Sequence, residues 1–192
     1  GSGDGLYLTG YGLKIYSDLD VALVNVTANN NQLYGANITA GDDVAIAHSF
    51  FNGHISYVYD YFSHEVASID GGYGLRVFTL DLVSIDDVDA NNNYLYGAYV
   101  EGGNTTIENS YFTANGSGVI IEPTGFGLQV LSTGTVDLVN INDANSVGNQ
   151  LFGADVKAAG DVTIINSFFS GHQSVTFSPC LGLTFYGYGL TV

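Results

Sequence analysis

The hexapeptide "GYGLKI" at 10–15 returns as "GYGLRV" at 72–77, "GFGLQV" at 125–130 and "GYGLTV" at 187–192. A glycine-headed motif recurring at separations of 62, 53 and 62 residues restricts the chain to architectures that build one local structure repeatedly and stack the copies, since one copy alone cannot bury its apolar face. Between copies the same segments follow in the same order: "VALVNV", "LDLVSI" or "VDLVNI", then "LYGANI", "LYGAYV" or "LFGADV", then "VAIAHSFF", "TTIENSYF" or "VTIINSFF". The 192 residues read as one domain, 1–192, made of tandem units 10–71, 72–124 and 125–186 and the start of a fourth at 187–192.

Each unit divides again. Gly12 and Gly35 are 23 residues apart, Gly74 and Gly97 also 23, and Gly127 and Gly153 26, so the elementary period is one coil of about 20 to 30 residues, as in solenoids. Leu13 and Ile15 alternate with Lys14, Val21 and Leu23 with Ala22, and Val44 with Ile46 and Val162 with Ile164 repeat the two-residue alternation of strands. No 3.6-residue apolar period is sustained, which excludes helical repeats. Twenty-six glycines, with 46% apolar and only 11% charged residues, suit short strands joined by tight corners and not disorder.

Stacked in register, such strands place like residues on like, and across essentially the whole chain this pattern resembles the right-handed parallel β-helix superfamily. That superfamily includes pectate-lyase-like polysaccharide enzymes, phage tailspikes and repeat-rich bacterial surface proteins. The resemblance implies an all-β fold, a right-handed parallel β-helix (β-solenoid) with coils of roughly 23–30 residues and little or no helix. It implies little about function, because one fold hosts many chemistries.

Aligning the second strand of each coil gives a column of Asn25, His48, Ser84, Asn109, Asn140 and Asn166. Asparagine tolerates left-handed backbone geometry and its amide can bond the amide one coil on, so Asn25, Asn109, Asn140 and Asn166 are expected to form an inward-facing ladder at a corner. Ser49, Ser110 and Ser167 precede Phe50–Phe51, Tyr111–Phe112 and Phe168–Phe169 in every second coil, and one ring of each pair is expected in the core. The outward column Lys14, Asn37, Arg76, Tyr99, Gln129, Asp155 and Thr191 is polar but mixed; it lacks the regular threonine array of an ice-binding face. The triple asparagine in "VTANNNQLYGAN" (26–37) reads as a corner connector, because its third counterpart, "NDANSVGNQLFGAD" (142–155), has lengthened and changed.

The units diverge after the paired aromatics, at 52–70, 113–124 and 170–186, and inserts in solenoids emerge on one side and often carry binding. The first gathers His54, Tyr57, Tyr59, Asp60, Tyr61, His64 and Glu65. Its tyrosines suit stacking on sugar rings, and His54, His64 and Glu65 could ligate a metal if the loop folded back. The competing reading is an added strand, since "ISYVYDYF" alternates and no H-E-x-x-H spacing occurs. Asp86, Asp87 and Asp89 in "DDVDANNN" offer the oxygens that Ca2+ prefers, without EF-hand or β-roll spacing, and are weak calcium candidates. No other cofactor is implied.

Nineteen acidic residues face three basic ones, Lys14, Arg76 and Lys157, for a formal charge of −16. Such a surface repels nucleic-acid phosphates and anionic headgroups, and no apolar run reaches the roughly 20 residues that span a bilayer. Cys180 is the sole cysteine, so an intramolecular disulfide is impossible. The scattered basic residues suit a lyase poorly, and no pair of outward carboxylates is evident. The expectation is a non-catalytic structural repeat module of a secreted or cell-surface bacterial protein, a segment of a fibre, stalk or adhesin. The chain opens and closes within a repeat, which suits a longer array, and unpaired edge strands favour end-to-end self-association. The alternative is a carbohydrate-binding module for surface glycans, or a polysaccharide lyase or glycoside hydrolase, with recognition by the insert at 52–70.

Overall fold

The structure is a computed structural model that describes residues 10–54, 57–60, 65–68, 72–116, 125–142, 149, 151–169, 174–178, 182–186 and 188–192. Its elements are strands, named β1 to β17 in chain order, and the described residues contain no helix. One parallel sheet has seven strands in the order β1 (Tyr11–Ser17), β3 (Tyr34–Ala40), β7 (Tyr73–Phe78), β9 (Tyr96–Gly102), β11 (Phe126–Ser132), β13 (Phe152–Ala158) and β17 (Tyr188–Thr191). The second has six, β2 (Val21–Val24), β4 (Val44–Phe50), β8 (Val83–Asp89), β10 (Thr105–Glu108), β12 (Val136–Val139) and β14 (Val162–Ile165). The chain passes from the first sheet to the second and back, adding one parallel strand to each on every circuit. This layout is consistent with a parallel β-solenoid. Two antiparallel pairs stand apart from it, β5 (Tyr57–Asp60) with β6 (Glu65–Ser68), and β15 (Ser174–Ser178) with β16 (Gly182–Tyr186).

Register follows the repeat. Leu13 pairs with Ala36, Ala36 with Leu75, Leu75 with Ala98, Ala98 with Leu128, Leu128 with Ala154, and Ala154 with Leu190. One inward position of the first sheet thus alternates strictly between Leu and Ala, while the other, from Ile15 to Val156, stays Ile or Val. The second sheet contributes Val21 and Leu23, Val44 and Ile46, Val83 and Ile85, Ile107, and Val136 and Leu138, all buried in one cluster with the first. Each such side chain removed from water stabilises the fold by about 1.5–3 kcal/mol.

A third, shorter column completes each circuit, held by parallel bridges Thr27 to Phe50, Phe50 to Asp89, Asp89 to Tyr111, Tyr111 to Asn142 and Asn142 to Phe168. The residue before it alternates Val26, Ser49, Val88, Ser110, Ile141, Ser167. Where the first sheet offers Ala36 and Ala98, the residue after the column is Phe51 or Phe112, each fully buried; where it offers Leu13 and Leu75, that residue is Ala28 or Ala90. A large side chain on one wall therefore accompanies a small one on the other, as interiors at crystal-like density require. The serines serve a second purpose. Ser49, Ser110 and Ser167 Oγ accept from the amides of Val26, Val88 and Ile141 of the preceding circuit, each at 3.1 Å, and donate to carbonyls two residues back in their own.

The aromatic residue of the repeat motif forms an axial stack. Tyr11, Tyr34, Tyr73, Tyr96, Phe126, Phe152 and Tyr188 lie ring on ring at 5.3, 5.1, 4.7, 4.8, 4.9 and 5.0 Å, with planes within 19° of parallel. The strand spacing of about 4.8 Å sets these distances, and each pair contributes about 0.5–1.5 kcal/mol beyond its burial.

Candidate functional site

Two corners hold most of the polar side chains that sequence reasoning marked. At the end of each second-sheet strand one residue takes a left-handed backbone: Asn25, His48, Asp87, Asn109, Asn140 and Asn166 have φ between 49° and 57°. This geometry turns the chain sharply, and asparagine and aspartate adopt it more readily than most residues. Ser84 does not belong to the column; it pairs with Ala45 and Thr106 inside the strands, and Asp87 takes the corner. All six corner residues are exposed, so the inward-facing ladder expected of Asn25, Asn109, Asn140 and Asn166 is not formed by them. Their contacts run along the outside. Asn140 Nδ2 donates to Asn109 Oδ1 at 2.9 Å, Asn109 Nδ2 donates to Asp86 Oδ1 at 2.8 Å, and His48 Nδ1 meets Asp87 Oδ2 at 2.8 Å.

The inward amide column lies at the triple-asparagine corner. Asn31, His54, Asn93, Asn115 and Asn149 are at most 5% exposed. The Asn31 amide donates to His54 Nδ1 (3.0 Å), His54 N–H to Asn93 Oδ1 (3.1 Å), Asn93 N–H to Asn115 Oδ1 (2.9 Å) and Asn115 N–H to Asn149 Oδ1 (2.9 Å). Asn149 Nδ2 closes on the Phe112 carbonyl at 2.8 Å. Backbone amides of a buried turn are satisfied by side-chain acceptors one circuit away, as buried peptide groups require. The column also explains the motif glycines. A Cβ at Gly12, Gly35, Gly74, Gly97 or Gly127 would lie within 2.7 Å of the side-chain nitrogen of Asn31, His54, Asn93, Asn115 or Asn149 respectively.

The three asparagines of a corner have three tasks. Asn29 Oδ1 accepts from Asn52 N–H (2.8 Å), Asn52 Oδ1 from Asn91 N–H (2.6 Å) and Asn91 Oδ1 from Thr113 N–H (2.6 Å). Asn30, Gly53, Asn92 and Ala114 supply a second left-handed turn, with φ of 55°, 73°, 57° and 55°. The third position is the buried one, and it is the asparagine that the lengthened third unit keeps, as Asn149.

His54, the first of the candidate residues in the recognition insert, is thus drawn into the core. It is fully buried, and burial pushes its imidazole down to about 4. Tyr57, Tyr59 and Asp60 lie on β5 and Glu65 on β6, with Tyr57 opposite Ser68, Tyr59 opposite Val66 and Asp60 opposite Glu65. The described residues of the insert therefore include two strands paired antiparallel, where sequence reasoning weighed a single added strand. Tyr61 and His64 lie outside the described residues.

The third column presents a different set of groups to solvent. Phe50, Tyr111 and Phe168 are 44%, 45% and 64% exposed, in every second circuit, with Thr27, Asp89 and Asn142 between and beside them in register. Burial, and then the charge of Asp87, raise the Asp89 carboxyl above its ordinary value. The other calcium candidates are engaged nearby, Asp86 with Asn109 and Asp87 with His48. Among the described residues no three His, Cys, Asp or Glu side chains converge as a metal site. On the first sheet, Gln129 Nε2 donates to Asp155 Oδ2 (2.8 Å) and Thr191 Oγ1 to Asp155 Oδ1 (2.9 Å), so neighbours in the outward column bond along the axis as well. An open groove of about 390 Å³ runs from Asp43 to Gly134 at the remaining corner, where Asp43 Oδ1 accepts from Leu82 N–H and Asn104 Oδ1 from Thr135 N–H.

Compared with known proteins, the chain matches no family model, no curated protein and no solved structure. The signal sequence reasoning missed was an offset: Asn31, Asn93 and Asn149 each stand four residues before a motif glycine, Gly35, Gly97 and Gly153. His54 and Asn115 share the role, but an insert separates each from the next such glycine.

Proposed function

We propose that this chain is a non-catalytic structural module, a segment of a right-handed parallel β-solenoid that serves as a rigid stalk or fibre element of a secreted or cell-surface protein. One observation carries the reading: the ring stack from Tyr11 to Tyr188 and the buried amide column from Asn31 to Asn149 couple each circuit to the next. The motif rings and the buried amides are spent on the neighbouring circuits along the axis. Stability in such an array is a sum of nearest-neighbour terms, which suits a rod whose length is set by repeat number.

The test is a tandem duplication of 10–186, joined so that the copy follows in repeat register. The fused chain adds six circuits, and at about 4.8 Å each small-angle scattering should show one rod longer by roughly 29 Å with unchanged cross-section and a single unfolding transition. Two bodies tumbling independently, or turnover of a polysaccharide abolished by a carboxylate substitution, would refute the proposal.

A further inference from the structure

The lateral column at the end of the second sheet carries an outward pattern that the packing of the rod does not require. Phe51 and Phe112 already fill the interior of their circuits, yet Phe50 and Tyr111 beside them face water, and Phe168 follows two circuits on. Exposed large rings carry a solvation cost that a purely structural face avoids with small polar residues. The intervening circuits do so with Thr27, Asp89 and Asn142. Next to this row runs the exposed corner column, Asn25, His48, Asp87, Asn109, Asn140 and Asn166. The face therefore combines an aromatic ring every second strand, about 10 Å apart at ordinary strand spacing, with a continuous line of amide, imidazole and carboxylate groups.

We propose that this face binds a neutral, extended β-linked polysaccharide lying along the rod axis, with Phe50, Tyr111 and Phe168 as stacking platforms and the flanking polar column bonding to hydroxyls. A ring repeat of about 10 Å is of the order of the disaccharide repeat of an extended β-1,4-linked chain, whose alternate sugars turn the same face to one side. Charge selects among occupants. At −16 the protein repels polyuronates, sulfated glycans and nucleic acids, and a second copy of itself meets the same repulsion. A neutral sugar chain meets none, and its C–H faces match aromatic rings while its hydroxyls match Asn and Asp side chains. The site shares no residue with the β5–β6 pair, and it stands whether or not the rod bears load.

The experiment measures binding of the full chain to insoluble cellulose and chitin and to cello-oligosaccharides of two to six sugars. The wild type should bind one of these polymers, and its affinity should rise with oligosaccharide length as successive rings are spanned. F50A/Y111A/F168A should lose tenfold or more in affinity while still unfolding in one cooperative transition, because these rings lie outside the core cluster. Replacement of Tyr57, Tyr59 and Tyr61 by Ser should leave binding intact. Wild-type binding to no neutral polymer, equal binding by the triple variant, or loss only in the tyrosine-to-serine variant would each overturn the inference. So would a wild-type dimer, seen by sedimentation, that the triple substitution dissociates, since it would give the row to a second copy.

Discussion

His54 stands where Asn31, Asn93, Asn115 and Asn149 place an amide, and the exchange gives the fold a titratable group in its core. Its Nδ1 accepts from the Asn31 amide at 3.0 Å, so protonation there would set a donor against a donor. Burial holds the folded imidazole at about 4, against 6.5 for the ordinary side chain. The unfolded chain therefore takes up the proton first. Stability from this group is fully present above pH 6.5 and is lost as pH falls from 6.5 towards 4. At about 1.36 kcal/mol per unit, the whole loss is about 3 kcal/mol, a large share of the roughly 5–15 kcal/mol that holds a typical domain together. Asp89 acts with the opposite sign. Burial and Asp87 raise its carboxyl, so its contribution is greatest at low pH and declines as pH rises. Urea unfolding of wild type and H54N between pH 7.5 and 4.5 isolates the histidine, because Asp89 is common to both. At pH 7.5 the two should agree within about 1 kcal/mol, an Asn Oδ1 replacing Nδ1 as acceptor. By pH 4.5 the variant should be more stable than wild type by about 2.5 kcal/mol. A wild-type-to-variant difference that stays flat across this range would refute the argument.

Three further groups of substitutions probe the columns by the same unfolding measurement. Gly97→Ala should destabilise by about 1–3 kcal/mol or more, because the added carbon meets the Gly127 and Ala90 carbonyls and the Asn115 amide within 2.7 Å; a neutral result would refute the close packing of amide on glycine. Ala98→Leu and Phe112→Ala should each be destabilising, by about 1–3 and 3–5 kcal/mol, while the double variant should cost less than their sum, since one change makes room for the other. Additivity would mean that the two walls do not compensate. At the exposed corner, Asn109→Val should cost about 1–2 kcal/mol for a left-handed β-branched residue, whereas Asn109→Gly should change stability by less than about 1 kcal/mol.

Strand order and parallel stacking were legible because period-two alternation and a recurring motif are properties of single residues and their spacing. The outward column from Lys14 to Thr191 was read in its true register for the same reason. The polar columns were harder. A left-handed corner and a buried amide both favour asparagine, for unrelated reasons: one needs a tolerant backbone, the other a side chain that both donates and accepts. Composition cannot separate Asn25 from Asn31, and only the depth of the turn does. Ser84 was misplaced because "VSIDD" offers no asparagine at the corner, where Asp87 adopts the same backbone. His54 looked like a ligand group because its neighbours in sequence are Tyr and His, whereas its neighbours in space are Asn31 and Asn93, 23 and 39 residues away.

The repeat of this chain is two circuits and not one, and packing explains why. In circuits one and three the interior receives Leu13 or Leu75 with Val26 or Val88 and Ala28 or Ala90; in circuits two and four it receives Ala36 or Ala98 with Ser49 or Ser110 and Phe51 or Phe112. Each set fills a similar volume by a different distribution, and the small wall of one circuit lies against the large wall of the next. The serine bond has the same polarity, always donated by an amide of the first circuit of a pair to a serine Oγ of the second. Removing one circuit should therefore harm the rod more than removing two. Deleting 72–124 joins a second-type circuit to a first-type one and preserves the alternation. Deleting 95–124 sets Leu75 against Leu128 and leaves Val88 and Ile141 adjacent without the intervening Ser110. Overpacking of about 1–3 kcal/mol and cavities of about 2–5 kcal/mol should then outweigh the interface terms that the extra circuit retains. A pure nearest-neighbour sum of identical circuits predicts the reverse order, with the longer chain more stable. Urea midpoints of the two deletions decide between them: a more stable single-circuit deletion would show that the circuits are interchangeable and that the paired period has no basis in packing.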